Sequence, residues 1–225
     1  VTKEMQRRNM SINHKRVLRL MKENNLLVHK KKFKPITTQS GHGLRLYPNL
    51  AKDLEVTLPN QLWVADITYI YLQNEFIYLA AIIEIFSRAC IGWDLGRNID
   101  ADLALNALDM AITNRKFFGF NELIHHSDRG VQYASNNYVD MLRTNGIKIS
   151  MTESGNPREN AFAESFMKTF KVEEVYMNEY RTFEEAYANI KHFLEEVYNK
   201  KRLHSSIGYV PPAEFEREVL NKSVS

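Results

Sequence analysis

The sequence is poor in the features that mark secreted and membrane proteins. Cys90 is the one cysteine among 225 residues, so no disulfide can form within the chain. We therefore expect a reducing, cytoplasmic compartment. The longest apolar run, FIYLAAIIEIF, is interrupted by Glu84 and is too short to cross a bilayer, so we expect no membrane contact.

Acidic residues are scarce in one part of the chain only. Residues 1–50 contain 12 Lys and Arg against 2 Asp and Glu, a net charge of +10. The remaining 18 basic and 25 acidic residues give residues 51–225 a net charge of −7. A basic arm before a mildly acidic body favours contact with a polyanion such as nucleic acid, and a solvated tail is the alternative.

The basic arm, residues 1–35, is predicted to be a small helical segment. SINHKRVLRLMKENNL has Ser11 as a candidate N-cap. Its apolar residues follow a helical stripe, formed by Val17, Leu18, Leu20, Met21 and Leu26. The segment is interpreted as part of a helix-turn-helix unit, or else as a solvated amphipathic helix. Residues 36–60, with TTQSGHG and two prolines, are predicted to be a linker.

Residues 61–225 are predicted to form an α/β domain, with a mixed five-stranded sheet flanked by helices. LWVADITYIYL, FIYLAAIIEIF and RACIGWDL alternate as strands and are joined by short turns, which predicts an antiparallel meander. ELIHHSD has the unbroken apolarity of a buried parallel strand, and IKIS is predicted to be the fifth strand. Helices are predicted between and after these strands.

Three carboxylates stand out by their positions on these elements. Asp66 lies mid-strand among apolar neighbours, Asp128 ends the fourth strand, and Glu164 lies on the helix after the fifth strand. A buried carboxylate is costly unless it is paired or binds a cation, and oxygen ligands suit Mg²⁺ or Mn²⁺. Each also has a structural alternative: a buried ion pair for Asp66, a turn cap for Asp128, and a surface helix position for Glu164.

The helix that carries Glu164 is predicted to have two distinct faces. Asn160, Glu164, Lys168 and Lys171 are spaced to share a wet, charged face, and Phe162, Phe166 and Phe170 are predicted to face the core. Glu153 and Glu159 are rivals for the third carboxylate. Glu164 is preferred, because Ala163 and Ser165 beside it are small and leave room for a substrate backbone.

Three blocks of this sequence resemble those of DDE transposases, which share the catalytic core of retroviral integrases. The blocks are WVADITYI, HHSDRGVQYAS and NPRENAFAESFMKTFK. Asp128 and Glu164 enclose 35 residues, as in the D,D(35)E pattern, and Lys171 matches a basic residue usual there. YNKKRLHSSIGYVPPAEFE and NHKRVLRLMKENNL resemble the closing and helix-turn-helix blocks of bacterial insertion sequence family three. Glu159 stands where that family usually has Asp.

The resemblance implies a ribonuclease-H-like fold and an enzyme of DNA recombination: a transposase that cleaves a mobile element's ends and joins them to other DNA. It implies that Asp66, Asp128 and Glu164 hold two Mg²⁺ or Mn²⁺ ions, with Asp66 bridging both. It also implies DNA integration through self-assembly on double-stranded DNA, in the bacterial cytoplasm at the nucleoid. An upstream DNA-recognition region is expected in addition to this chain. The alternatives are a nuclease of the same fold that does not join, and an inactive DNA-binding relic or regulator.

Further residues are predicted to support the site or to bind DNA. His126 is predicted to be a neighbour of the carboxylates, or else a satisfied strand-end histidine. Arg202 and His204 are predicted either to contact DNA or to seal the last helix against the core. The predicted DNA-binding residues are Lys171, Lys168, Asn160, Arg129, Lys30, Lys31, Lys32, Arg16 and Arg19.

Overall fold

The computed structural model describes residues 1–27, 43–153 and 157–223 of the chain. Its one mixed sheet consists of β1 (Leu62–Tyr71), β2 (Phe76–Glu84), β3 (Cys90–Gly96), β4 (Ile124–Ser127) and β5 (Lys148–Met151). The strand order is β3-β2-β1-β4-β5. β1, β2 and β3 pair antiparallel, and β4 is parallel to both β1 and β5. The predicted meander and the parallel fourth strand are thereby confirmed.

Helices precede, connect and follow these strands. They are α1 (Thr2–Arg7), α2 (His14–Glu23), α3 (Ala101–Arg115), α4 (Val131–Ala134), α5 (Asn136–Thr144), α6 (Ala161–Glu173), α7 (Phe183–His192) and α8 (Pro212–Ser223). A π-helical turn, Phe193–Tyr198, continues α7, and 3-10 turns occur at Lys116–Phe118, Pro157–Asn160, Val175–Met177 and Ser205–Ile207. In the described ranges, no helix is both long and apolar enough to span a membrane.

The sheet separates two apolar cores because side chains alternate between its faces. Leu62 and Val64 of β1 belong to a cluster that includes residues of α6 and α7. Trp63 and Ala65 belong to a second cluster on the opposite face, with residues of α3 and α5. β1 is buried on both faces, so a charged residue within it is fixed by packing on each side.

The N-terminal helices differ from the sequence prediction in two respects. Asn13, and not Ser11, caps α2, because its side chain accepts a hydrogen bond from the Lys15 amide. Of the predicted apolar stripe, only Val17 is buried, while Leu18 and Leu20 are exposed. The segment contacts the C-terminal region, where Arg7 forms an ion pair with Glu214 at 2.8 Å.

The helix that carries Glu164 begins later than the sequence predicts and exposes one of its three aromatic residues. A 3-10 turn precedes it at Pro157–Asn160, and α6 itself begins at Ala161. Phe166 and Phe170 are buried as predicted, but Phe162 is 45% exposed. The prediction for Phe162 is therefore wrong. The first turn of α6 extends past the core, and the guanidinium of Arg88 covers the Phe162 ring at 4.4 Å.

Glu84, which interrupts the longest apolar run, is fully buried at the end of β2. Its oxygens accept hydrogen bonds from the amides of Asn60, Phe86 and Ser87 and from the Ser87 hydroxyl. A buried carboxylate with this many donors is well satisfied. Glu84 therefore fixes the connection from β2 to β3.

The substitution Glu84→Gln is expected to destabilise the fold by about 1–3 kcal/mol. The amide nitrogen of Gln would face a backbone or hydroxyl donor, so at least one buried donor would lose its acceptor. Urea unfolding measures the change in the free energy of unfolding. Glu75→Gln, at the exposed turn between β1 and β2, is the control and should leave the stability nearly unchanged; equal stability of both variants would contradict the assignment.

Asn199 joins the end of the π-helical turn to the edge strand β3. Its side chain accepts a hydrogen bond from the Cys90 amide at 2.9 Å and donates one to the Cys90 carbonyl at 2.8 Å. The Cys90 thiol itself is buried, and burial raises its pKa. The C-terminal segment is therefore fastened to β3, the edge strand that β2 separates from β1.

Candidate active site

The ladder between β1 and β4 ends two residues before Asp66 and Asp128. Its last pair is Val64 with His126. Alternation returns Asp66 to the face of Val64, and Asp128 lies in the turn just past the end of β4. That face is the one covered by α6, since Val64 belongs to the core cluster that includes α6 residues.

Asp66 is buried near the negative charges of the other two candidate carboxylates. Burial, then the charge of Asp128 and, more weakly, that of Glu164 together raise the pKa of Asp66 to about 7. The hydrogen bond from the Ile67 amide and the charge of Lys171 act against them. Mutual repulsion of carboxylates is relieved by a bound cation, and oxygen donors of this kind fit Mg²⁺ or Mn²⁺.

Asp128 lies at the turn that follows β4. One of its carboxyl oxygens accepts a hydrogen bond from the Gly130 amide at 2.8 Å. A Cβ added at Gly130 would lie 2.9 Å from that same oxygen, so a larger residue there would displace the Asp128 carboxylate. Asp128 therefore caps the turn and also lies near Asp66, and the two interpretations of this residue are compatible.

Glu164 lies in the first turn of α6 and is exposed. Its charge affects the pKa of Asp66 less than that of Asp128 does. Within residues 1–27, 43–153 and 157–223, no group of three His, Cys, Asp or Glu side chains is arranged closely enough to hold a metal ion. The structure thus brings Asp66 and Asp128 together and places Glu164 at their margin.

Two contacts fix the start of α6 against the sheet. Asn160 donates a hydrogen bond from its side-chain amide to the Ala65 carbonyl at 3.0 Å, next to Asp66. His126 contacts the Ser150 hydroxyl at 2.8 Å through Nδ1 and the Glu159 carbonyl at 3.0 Å through Nε2. Burial lowers the pKa of His126. Asn160 and His126 therefore orient the helix that carries Glu164, and Ser150 is a supporting residue that the sequence analysis missed.

Lys171 lies two turns after Glu164, over the Tyr69 ring at 3.9 Å. Burial lowers the pKa of Lys171, and the charge of Asp66 opposes that change. Lys168 is exposed on the same helix. The prediction of an exposed, charged face on α6 is therefore confirmed for Glu164 and Lys168. It is wrong for Asn160, which is buried, and Lys171 is partly covered by the Tyr69 ring. Tyr69 is a second residue that the sequence analysis missed.

The rival carboxylates and the arginine beside Asp128 are engaged with the loop after β5. The Glu159 carboxylate accepts a hydrogen bond from the Glu153 amide. Arg129 donates to the Thr152 carbonyl at 2.6 Å and also to the Glu153 carbonyl. These contacts give Glu159 and Arg129 structural roles. Glu164 therefore stays the candidate for the third carboxylate, because its charge affects the pKa of Asp66.

The remaining predicted residues lie away from the carboxylates. Arg202 forms a bidentate ion pair with Glu173 at 2.8 and 2.9 Å, and His204 packs against Tyr198. These contacts favour the alternative in which the two residues hold a C-terminal helix against the core. Arg16 is exposed on α2, and Arg19 lies 3.6 Å from Glu23. Lys30, Lys31 and Lys32 lie outside the described residues.

Comparison with protein families gives two overlapping matches to the integrase core domain, over residues 56–157 and 145–212. A 31 kDa protein of insertion element IS600 from Shigella sonnei is 35% identical over 96% of this chain and 79% of its own length. The transposase InsF of insertion sequence IS3A from Escherichia coli K12 is 37% identical over 84% of this chain. This chain spans 65% of that transposase, just under two thirds.

The fold has a counterpart among solved structures. A chain of the simian T-cell lymphotropic virus intasome, solved by cryo-electron microscopy with a PP2A regulatory subunit, matches 80% of this chain with a TM-score of 0.56. The match covers 59% of that chain at 16% identity, so it shows the ribonuclease-H-like fold alone. Together with the sequence relatives, the sheet and its helices identify the family: the chain belongs to the DDE-type transposases of insertion sequence family IS3, built on an integrase core domain.

Proposed function

We propose that this chain is the catalytic core that cuts the DNA ends of a mobile element and joins them to another DNA strand. The observation that carries the proposal is the parallel pairing of Val64 with His126 in β1 and β4, two residues before Asp66 and Asp128. The raised pKa of Asp66, about 7, supports it, since burial and neighbouring carboxylates favour a cation there.

Asp66, Asp128 and Glu164 would hold the divalent ions. When bound, Mg²⁺ or Mn²⁺ supplies activation of the attacking hydroxyl or water and stabilises charge on the leaving oxygen. The chain's own contribution is positioning: β1 and β4 are rigid, and Asn160 and His126 fix the start of α6. No covalent link between enzyme and DNA is needed in such a phosphoryl transfer.

DNA would approach along the exposed side of α6. Lys171 and Lys168 would meet phosphates beside the carboxylates, and Asn160 would support them from the helix start. Arg129 would contribute through the loop it stabilises. The basic N-terminal arm, with Arg16 and Arg19 and with Lys30 to Lys32 in its sequence, would add contacts that are independent of DNA sequence. We also propose self-assembly on DNA, because two element ends must be joined, and a location at the bacterial nucleoid.

Glu164→Gln tests this proposal. The variant is expected to lose strand joining by about a hundredfold or more, because a neutral amide binds a divalent cation poorly, while DNA affinity changes little. Joining of a labelled oligonucleotide to plasmid DNA in Mg²⁺ measures activity, and fluorescence anisotropy measures affinity.

Glu184→Gln, an exposed change in the first turn of α7, is the matched control and should retain activity. Equal joining by wild type and Glu164→Gln would contradict the assignment of Glu164. Metal-dependent nicking by the wild type without any joining would favour the nuclease alternative. DNA binding with neither activity would favour the regulator.

A further inference from the structure

A cleft of about 550 Å³ adjoins α6, and the described residues that line it do not include Asp66, Asp128 or Glu164. Three basic residues line it: Arg88 from the connection between β2 and β3, and Arg202 and His204 from the segment before α8. Ser165 and Thr169 of α6 contribute hydroxyl groups from the opposite wall. Within the described part of the chain, no acidic side chain lines this cleft.

Arg88 is the charged residue of the cleft that lacks an ion pair among the described residues. Its Nε is buried and has no hydrogen-bond partner among them, and the guanidinium interacts with the Phe162 ring and, electrostatically, with Glu84. Burial lowers the pKa of Arg88, which shows that its positive charge is poorly solvated there. A buried cationic donor without an acceptor costs free energy unless a ligand supplies one.

The backbone holds Arg88 in this position. Its φ of 68° lies in the left-handed region, which side-chain-bearing residues rarely adopt. The connection is fixed from within, because Glu84 accepts hydrogen bonds from the amides of Phe86 and Ser87. Phe162 then supports the guanidinium plane at 4.4 Å. Strained residues of this kind persist where the surroundings over-determine them, often at ligand sites.

Arg202 and His204 add no net positive charge to the cleft, so its charge comes from Arg88. Glu173 neutralises Arg202. Burial, followed by the charges of Arg202 and Arg88, lowers the pKa of His204 to about 4, so its ring is neutral at pH 7. The cleft therefore combines one unpaired guanidinium with neutral hydrogen-bonding groups, which suits a single anionic oxygen cluster such as a phosphodiester.

We infer that this cleft binds one phosphate of the DNA backbone, with Arg88 as its charged donor and the hydroxyls of Ser165 and Thr169 as accessory groups. The inference rests on the proposed function, because DNA is taken from it as the ligand. Ser165 and Thr169 follow Glu164 by one and five residues on α6, which is about 2–8 Å along the helix axis. A phosphate bound here anchors the duplex beside the carboxylates and fixes its register along α6.

The test compares Arg88→Gln with wild type in the binding of a short labelled duplex, by fluorescence anisotropy in Mg²⁺ buffer from about 50 to 200 mM salt. Loss of one phosphate contact should weaken binding by about tenfold at the middle of this range and reduce the salt slope by about 1, whatever the DNA sequence. Arg97→Gln is the matched control, because Arg97 already contacts Glu75 and Glu184 and lies outside the cleft.

A second variant keeps Arg88 and its packing intact. Ser206→Glu places a negative charge at an exposed position of the cleft wall, and it should weaken DNA binding to a similar extent by repulsion. Thr113→Glu adds the same charge at an exposed position of α3 and should leave affinity near that of wild type. Ser206→Glu and Thr113→Glu therefore test the site even if Arg88→Gln does not fold. Thermal melting shows whether Arg88→Gln is folded.

Each outcome decides the inference. Wild-type affinity and salt slope in both Arg88→Gln and Ser206→Glu, with DNA bound by the wild type, would overturn this inference and leave the proposed function intact. A wild-type chain that does not bind DNA would overturn both. Stabilisation of the wild type by inorganic phosphate that depends on Arg88, with no change in DNA binding, would assign the cleft to a small free anion and overturn the DNA site.

Discussion

Asp66→Asn is expected to reduce metal-dependent nicking of supercoiled plasmid by roughly a thousandfold. Asp66 is buried, the charges of Asp128 and Glu164 both act on it, and Asn160 at the start of α6 contacts the Ala65 carbonyl next to it, so its charge is central to the proposed metal site. An asparagine keeps the shape of the side chain and can still accept the Ile67 hydrogen bond, but it removes the negative charge. Gel separation of nicked from supercoiled plasmid in Mg²⁺ or Mn²⁺ measures the loss.

Asp94→Asn provides a closely matched control. Asp94 also lies mid-strand, in β3, and accepts a hydrogen bond from the following amide at 2.9 Å, as Asp66 does. This control should nick plasmid at the wild-type rate. Asp66→Asn should be at least as stable to heat as wild type in the absence of metal, because removing its charge relieves repulsion from Asp128. Undiminished nicking by Asp66→Asn would refute the active site.

Gly92→Ala is expected to destabilise the chain by about 3 kcal/mol or more. A Cβ at Gly92 of β3 would lie 2.2 Å from the Ala107 carbonyl oxygen and 2.8 Å from the Cβ of Ala111, both on α3. Backbone atoms of a packed helix cannot move aside as a side-chain end can, so the whole of α3 would have to shift from the sheet. Urea unfolding followed by circular dichroism measures the cost.

Gly96→Ala, on the same strand and facing the same helix, is the control for Gly92→Ala. A Cβ there would meet the Leu103 Cδ1 at 3.2 Å, and that flexible side chain can rotate away. The expected cost is about 1 kcal/mol or less. A similar loss of stability in both variants would show that strand propensity, and not close packing of β3 against α3, determines the effect.

The sequence was sufficient to predict the sheet and the position of its acidic residues. Alternation located β1, and the apolar run before Asp128 located β4, because both strands are buried on two faces and their patterns are strong. The parallel pairing of β1 with β4 is tertiary information, and periodicity cannot supply it. The family resemblance of the three sequence blocks predicts that Asp66 and Asp128 act together, and the nicking assay of Asp66→Asn tests that prediction.

Several features were beyond sequence reasoning for physical reasons. Glu84 was interpreted as a break in an apolar run, but three backbone amides and a hydroxyl compensate its burial, and such partners become visible only when the turn is folded. Phe162 has the same helical spacing as Phe166 and Phe170, but the first turn of α6 extends past the core, so the Phe162 side chain is exposed. Helix α8 begins at the second of two consecutive prolines and was not predicted, because a weakly apolar segment gives little periodic signal.

The contacts of His126 imply a chain of hydrogen bonds with a single direction. The Glu159 carbonyl can only accept, so Nε2 of His126 carries the proton, and Nδ1 of the neutral ring accepts from the Ser150 hydroxyl. That hydroxyl in turn accepts from the Leu50 amide at 2.8 Å. Donors therefore run one way, from the segment before the sheet, through β5 and β4, to the turn that begins α6. A displacement of Leu50 would be relayed to the helix that carries Glu164, which makes this row of polar groups a mechanical link between the segment before β1 and the catalytic helix.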